Sequence, residues 1–193
     1  MSQKQYSFSN ELRASEGAEM SLEGLAIVFD TPTVLFERDG IQYKEIISRG
    51  ALDRTDLKDV VLRYNHNGGF VVLARTRNKS LQLDKRSDGL YIQAKLQSDI
   101  SQHRDSYNAI KAGLIDKMSF GFIVADDGET YDRSTNTRTV TNISKLMDVS
   151  IVDQPAYEQT FVEARSKMEQ FVETQVYRES VMIRAQLLKV RLK

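Results

Sequence analysis

The sequence predicts an α+β chain that is mostly β, with one internal helix and a long C-terminal helix. From Tyr6 to Val152 turn-forming residues recur often. The apolar runs between them are short, and many alternate with period two, the pattern of half-buried strands. One stretch in that region, Ile100 to Leu114, switches to spacings of three and four. Beyond Tyr157 there is no Gly or Pro, and an apolar stripe runs at helical spacing towards the C-terminus. These patterns divide the chain into a β-rich domain over residues 1–157 and a helical extension over residues 158–193.

Each element has a local reason. Leu22 to Phe29 is an apolar run bounded by the turn-forming Thr31-Pro32, and Val34 to Phe36 and Ile41 to Ile47 flank Asp39-Gly40, a favoured hairpin dipeptide. Val60, Leu62, Tyr64 and His66 fall on one face of a strand that Asn67-Gly68-Gly69 turns. A second hairpin runs from Leu81 and Leu83 through Asp88-Gly89 to Leu90, Ile92, Ala94 and Leu96. In the internal helix Ile100, His103, Tyr107, Ile110 and Leu114 share a face, Ser98 or Asp99 can cap the start, and Gly113 can end it. A strand follows over Lys117 to Ala125. Asp126 to Thr139 is polar and is expected to be an exposed, mobile loop or hairpin tip. Leu146 to Val152 reads as a short buried strand ending at Pro155. In the extension, Phe161, Met168, Val172, Val176, Ile183, Leu187 and Val190 share a helical face, with acids early and bases late as the helix dipole favours. Such a stripe needs a partner surface, and both the chain's own β body and a second protein remain open.

Composition narrows the function. With 193 residues the chain is long enough for a core, and 40% hydrophobic and 28% charged residues exclude wholesale disorder. Lys plus Arg and Asp plus Glu are both 27, so no net charge draws the chain to nucleic acid or to an anionic membrane. The lack of cysteine excludes disulfides, a thiolate nucleophile and thiolate-ligated metals. Met1 to Ala14 is polar and no apolar run has the length of a spanning helix, which predicts an intracellular protein with no membrane partner. No GxSxG, phosphate loop, GxGxxG or HExxH is present.

Three segments can carry chemistry. His66 lies at a strand end beside a glycine turn, where an imidazole reaches a cleft or is simply a satisfied surface group. In Lys117 to Val124, alternation sends Met118, Phe120, Phe122 and Val124 to the core and leaves Ser119 and Gly121 together on the other face. That pattern fits a nucleophile with room for a substrate chain beside Gly121, and it also fits the more ordinary half-buried strand with a bulge glycine. Asp148 lies among Leu146, Met147, Val149, Ile151 and Val152, where a carboxylate is costly unless paired. A histidine is a natural partner, since the acid fixes its tautomer and stabilises its charged form. An Asp that caps a turn at the strand entrance fits the same spacing. His103, beside Arg104 and Asp105, reads as a partly exposed helix residue.

Several collinear segments are specific in combination: GLAIVFD at 24 to 30, EIISRGAL at 45 to 52, RYNHN at 63 to 67, LARTRNKSLQL at 73 to 83, DGLYIQAKL at 88 to 96, IKAGLIDKMSFGF at 110 to 122, and LMDVSIVDQPAY at 146 to 157. Together they resemble the prohead (capsid maturation) protease family of tailed bacteriophages, of the HK-ninety-seven type. The resemblance implies a small closed β-barrel with surrounding helices, similar to the herpesvirus maturation proteases, and a serine endopeptidase needing no cofactor. It implies Ser119 as nucleophile, His66 as general base and Asp148 as the orienting acid. That acid is often Glu in the family, and the herpesvirus enzymes use a second His there, so Asp148 departs from the commonest pattern. By the same resemblance, backbone N–H groups of Ala156 and Tyr157 help form the oxyanion hole, while Pro155 has no N–H to give. The implied substrates are the scaffold protein or the scaffold segment of the major capsid protein, and the protease itself, inside the procapsid in the host cytoplasm. A non-catalytic assembly protein on the same fold, and an esterase or amidase using the same three residues, are the competing readings.

Overall fold

The computed structural model describes residues 4–9, 11–14, 19–38, 40–69, 71–153, 177 and 180–184. The chain divides into two compact units, Met1–Tyr157 and Glu158–Lys193. The first opens with strands β1 (Lys4–Ser9), β2 (Glu11–Ala14), β3 (Ser21–Val28), β4 (Thr33–Arg38) and β5 (Ile41–Ile47), followed by a 3-10 turn at Arg49–Leu52. Next come β6 (Val61–Tyr64), β7 (Ala74–Arg75), β8 (Leu81–Lys85), β9 (Gly89–Lys95) and helix α1 (Ser101–Lys111). It closes with β10 (Lys117–Val124), β11 (Glu129–Asp132), β12 (Thr137–Val140) and β13 (Ile143–Val152). Both hairpins expected from Asp-Gly dipeptides form, β4 with β5 and β8 with β9, and Gly40 takes the left-handed conformation, φ +76°, that its turn requires.

The strands assemble into three sheets, in the orders β1-β10-β13-β6-β7, β2-β3-β9-β8 and β11-β12-β5-β4. The expected closed barrel does not form: among the described residues none of these sheets closes on itself. The first two face a shared core and meet at two seams. At one seam β1 and β2 are separated by a single residue, so the chain passes from one sheet to the other. At the other, β7 lies beside β8, but Arg75 N–H donates to the Ser80 hydroxyl at 2.9 Å where a closed ladder would offer a backbone carbonyl. A side chain thus ends the sheet. The core contains Leu22, Ile27, Leu62, Leu90, Met118, Phe120, Phe122, Leu146 and Ile151, all buried. Phe120 and Phe122 stack with ring centroids 5.3 Å apart.

Four further expectations change. Helix α1 starts at Ser101 with Ile100 at its N-cap, and neither Ser98 nor Asp99 caps it. His103 is instead buried, its Nδ1 accepting from Gln97 N–H at 3.0 Å and its Nε2 donating to the Val72 carbonyl at 3.1 Å. Leu114 is exposed, since Gly113, at φ +68°, ends the helix before it and turns it away. Residues 126 to 139, expected as an exposed loop or hairpin tip, form the hairpin β11–β12, but β12 is largely buried because it pairs in parallel with β5. This pairing buries Arg138, which bonds Glu45 at 2.8 Å and Glu129 at 2.7 Å. In the second unit Tyr177 and residues 180–184 are helical. The remainder of the expected helix, with Phe161, Met168, Val172, Val176, Leu187 and Val190, lies outside the described residues. Among the described residues no helix is long and apolar enough to cross a membrane.

Candidate active site

Three adjacent strands of the first sheet bring the candidate residues together. β13 is paired on one side, antiparallel, with β10, where Ser119 stands opposite Ser150 and Gly121 opposite Asp148. On its other side it pairs in parallel with β6, placing Tyr64 beside Ile151. Residues directly opposite in a ladder, and residues two apart on one strand, share a face. Ser119, Gly121, Asp148 and Ser150 therefore form one patch.

His66 joins this patch by a route that alternation did not foresee. β6 ends at Tyr64, and Asn65 and His66 both have left-handed backbones, φ 49° and 54°. Their geometry, and not strand alternation, aims the ring. Asn and His are among the residues that tolerate this region best. The turn is tied down on β13: Asn65 N–H donates to the Ile151 carbonyl at 2.9 Å, and Asn65 Oδ1 accepts from Asp153 N–H at 3.2 Å. Tyr64 adds a third tie, donating its phenol to Asp153 Oδ2 at 2.8 Å. Burial, and then this carboxylate, push the phenol's pKa up, so the tie stays protonated at neutral pH.

The resulting contacts are directional. His66 Nε2 lies 2.7 Å from Ser119 Oγ, while Nδ1 is hydrogen-bonded to Asp148 Oδ1. A carboxylate accepts only, so Nδ1 carries the proton and Nε2 presents a lone pair to the serine hydroxyl. Asp148 is 1% exposed, and Leu146, Met147, Val149, Ile151 and Val152 surround it along the strand; the histidine meets the need for pairing that such burial creates. The Ser150 hydroxyl donates to the same Oδ1 at 3.1 Å and stands 3.1 Å from Nδ1. An imidazole so held can take a proton from a serine hydroxyl and return it to a leaving group.

Ser119 and Gly121 are not open to solvent on the face away from Met118, Phe120 and Phe122; both are buried, as is every residue of β10 from Met118 to Phe122. His66 retains 12% side-chain exposure. Ala156 and Tyr157 lie outside the described residues. The sequence reading missed Ser150 and Asn65. Ser150 was accessible to it, since it lies two residues beyond Asp148 in an alternating strand, but Asn65 acts through a backbone conformation that no pattern signals. His103 is remote in role: both ring nitrogens are committed to the backbone. Among the described residues no cluster of His, Cys, Asp and Glu is suited to hold a metal ion.

A hydroxyl, an imidazole and a carboxylate in this order define the serine hydrolase class of site. The family model of the caudovirus prohead serine proteases matches residues 8–174, and the chain belongs to that family; it is a serine protease. Among solved structures the chain is similar to the bacteriophage T4 capsid assembly protease, gp21. The TM-score is 0.50 at 13% identity, covering 79% of this chain and 99% of that one, a likeness of fold. No curated protein matches by sequence.

Proposed function

We propose that this chain is a phage maturation endopeptidase that cleaves the scaffold protein, or the scaffold segment of the major capsid protein, and itself, within the procapsid. The observation that carries the proposal is His66 bridging Ser119 Oγ at 2.7 Å and the buried Asp148 carboxylate. Ser119 gives its proton to Nε2 as Oγ attacks the scissile carbonyl, and Asp148 stabilises the imidazolium that forms. The imidazolium then protonates the leaving amine, and a water, deprotonated by the same ring, hydrolyses the acyl-enzyme. Backbone N–H groups of Ala156 and Tyr157 are assigned to the oxyanion, and Gly121, with no side chain, to leave space for substrate backbone. Residues 158–193 are assigned to self-association or docking on the assembly; Val181, Met182 and Ile183 are exposed.

The test is incubation of the cognate capsid and scaffold proteins with the wild-type chain and with Ser119→Ala, read by mass spectrometry. Defined cleavage by wild type alone is expected. Assembly promoted without any cleavage would favour a non-catalytic role, and turnover of small esters without protein cleavage would favour an esterase.

A further inference from the structure

The mechanism uses three side chains, and a fourth polar group lies within their reach. Ser150 is fully buried on β13, between Val149 and Ile151, where a hydroxyl is costly unless it is bonded. Its Oγ donates to Asp148 Oδ1 at 3.1 Å and lies 3.1 Å from His66 Nδ1. Nδ1 has one proton, directed mainly at Oδ1, so the serine oxygen accepts a share of that proton while donating its own to the carboxylate. Rotation of the carboxylate about its Cβ–Cγ bond would carry the ring with it. A donor at Oδ1 besides the histidine opposes that rotation, and its burial keeps bulk water from competing for the bond.

We infer that Ser150 is a positioning residue: its hydroxyl fixes the Asp148 carboxylate and, through it, the ring orientation that aims Nε2 at Ser119. This rests on the catalytic reading of Ser119, His66 and Asp148. A hydrogen bond to a charged group is worth enough that its loss lowers kcat about 10- to 100-fold. KM stays within about twofold, since Ser150 touches no substrate.

The experiment compares wild type, Ser150→Ala and Ser150→Thr in peptide cleavage, and records the low-field proton NMR signal of His66 Nδ1–H in each. The expected result is a Ser150→Ala protein with reduced kcat, unchanged KM and a displaced Nδ1–H signal, and a Ser150→Thr protein, which keeps the hydroxyl, closer to wild type in both. Wild-type kcat in Ser150→Ala overturns the inference, and so does a lowered kcat with an unmoved Nδ1–H signal, because that is the mark of packing alone. If Ser150→Thr fails to fold, the Ser150→Ala signal decides. Should wild type show no cleavage that depends on Ser119, the protease mechanism fails; the Nδ1–H signal still reports whether Ser150 orders the His66–Asp148 pair.

Discussion

Asp148→Asn isolates the electrostatic part of the mechanism. The amide is nearly isosteric, so the strand and its buried neighbours are kept, while the charge facing His66 Nδ1 is removed. The ground state needs that charge little, but the imidazolium formed during attack needs it directly. With about 4 Å between charge centres and an effective dielectric of about 20, the interaction is about 4 kcal/mol, or roughly three decades in rate. An amide turned with its NH₂ towards Nδ1 adds a further penalty, because it forces the ring proton onto Nε2, where it blocks acceptance from Ser119. The expected fall in kcat is about 10²- to 10⁴-fold, with KM little changed. Steady-state cleavage of a fluorogenic peptide measures it, with circular dichroism confirming the fold. A folded Asp148→Asn protein whose kcat is within about threefold of wild type would refute the reasoning.

Three other predictions concern stability and assembly. Arg138→Met strips the cationic partner from the buried Glu45 carboxylate and should cost about 3–5 kcal/mol in urea titration; a loss under about 1 kcal/mol would show that the network is not stabilising. Asp59 is held below its ordinary pKa of 3.8 by hydrogen bonds from Arg75, so its contribution is complete above that value and is lost as pH falls through the lower folded-state value. Asp59→Asn should therefore lower Tm at pH 7 by an amount that shrinks as pH falls below 3.8, whereas a gap independent of pH would contradict the assignment. Truncation after Tyr177 should leave peptide cleavage intact and abolish self-association or processing of the assembled substrate, as read by light scattering and gel. A truncated chain that keeps every assembly property would remove the docking role.

Much of the local structure was legible because it is written in short-range patterns: the period-two strands, the Asp-Gly turns and the glycine that ends α1. The arrangement of strands into sheets was not, since parallel pairing of β12 with β5 and of β13 with β6 joins segments far apart in sequence. For the same reason Arg138 looked like part of a solvated loop until its register opposite Glu45 buried it. In the site, Ser119 and Asp148 could be located from the strands that carry them, and the cost of burying Asp148 correctly demanded a partner. Alternation placed His66 on the wrong basis: two successive left-handed residues, anchored by Asn65 to β13, swing it over the patch. The apolar sequence of β10 signalled a strand but not that both its faces would be covered, which is why Ser119 was expected to be open.

The direct test of Ser119 activation by His66 is covalent labelling. A fluorophosphonate incubated with the intact chain should modify one residue, Ser119, as mapped by peptide mass spectrometry. Labelling should be lost in Ser119→Ala, slowed by orders of magnitude in His66→Ala, and unaffected in a folded His103→Ala variant. Modification of another residue, or of Ser119 at an equal rate without His66, would contradict the mechanism.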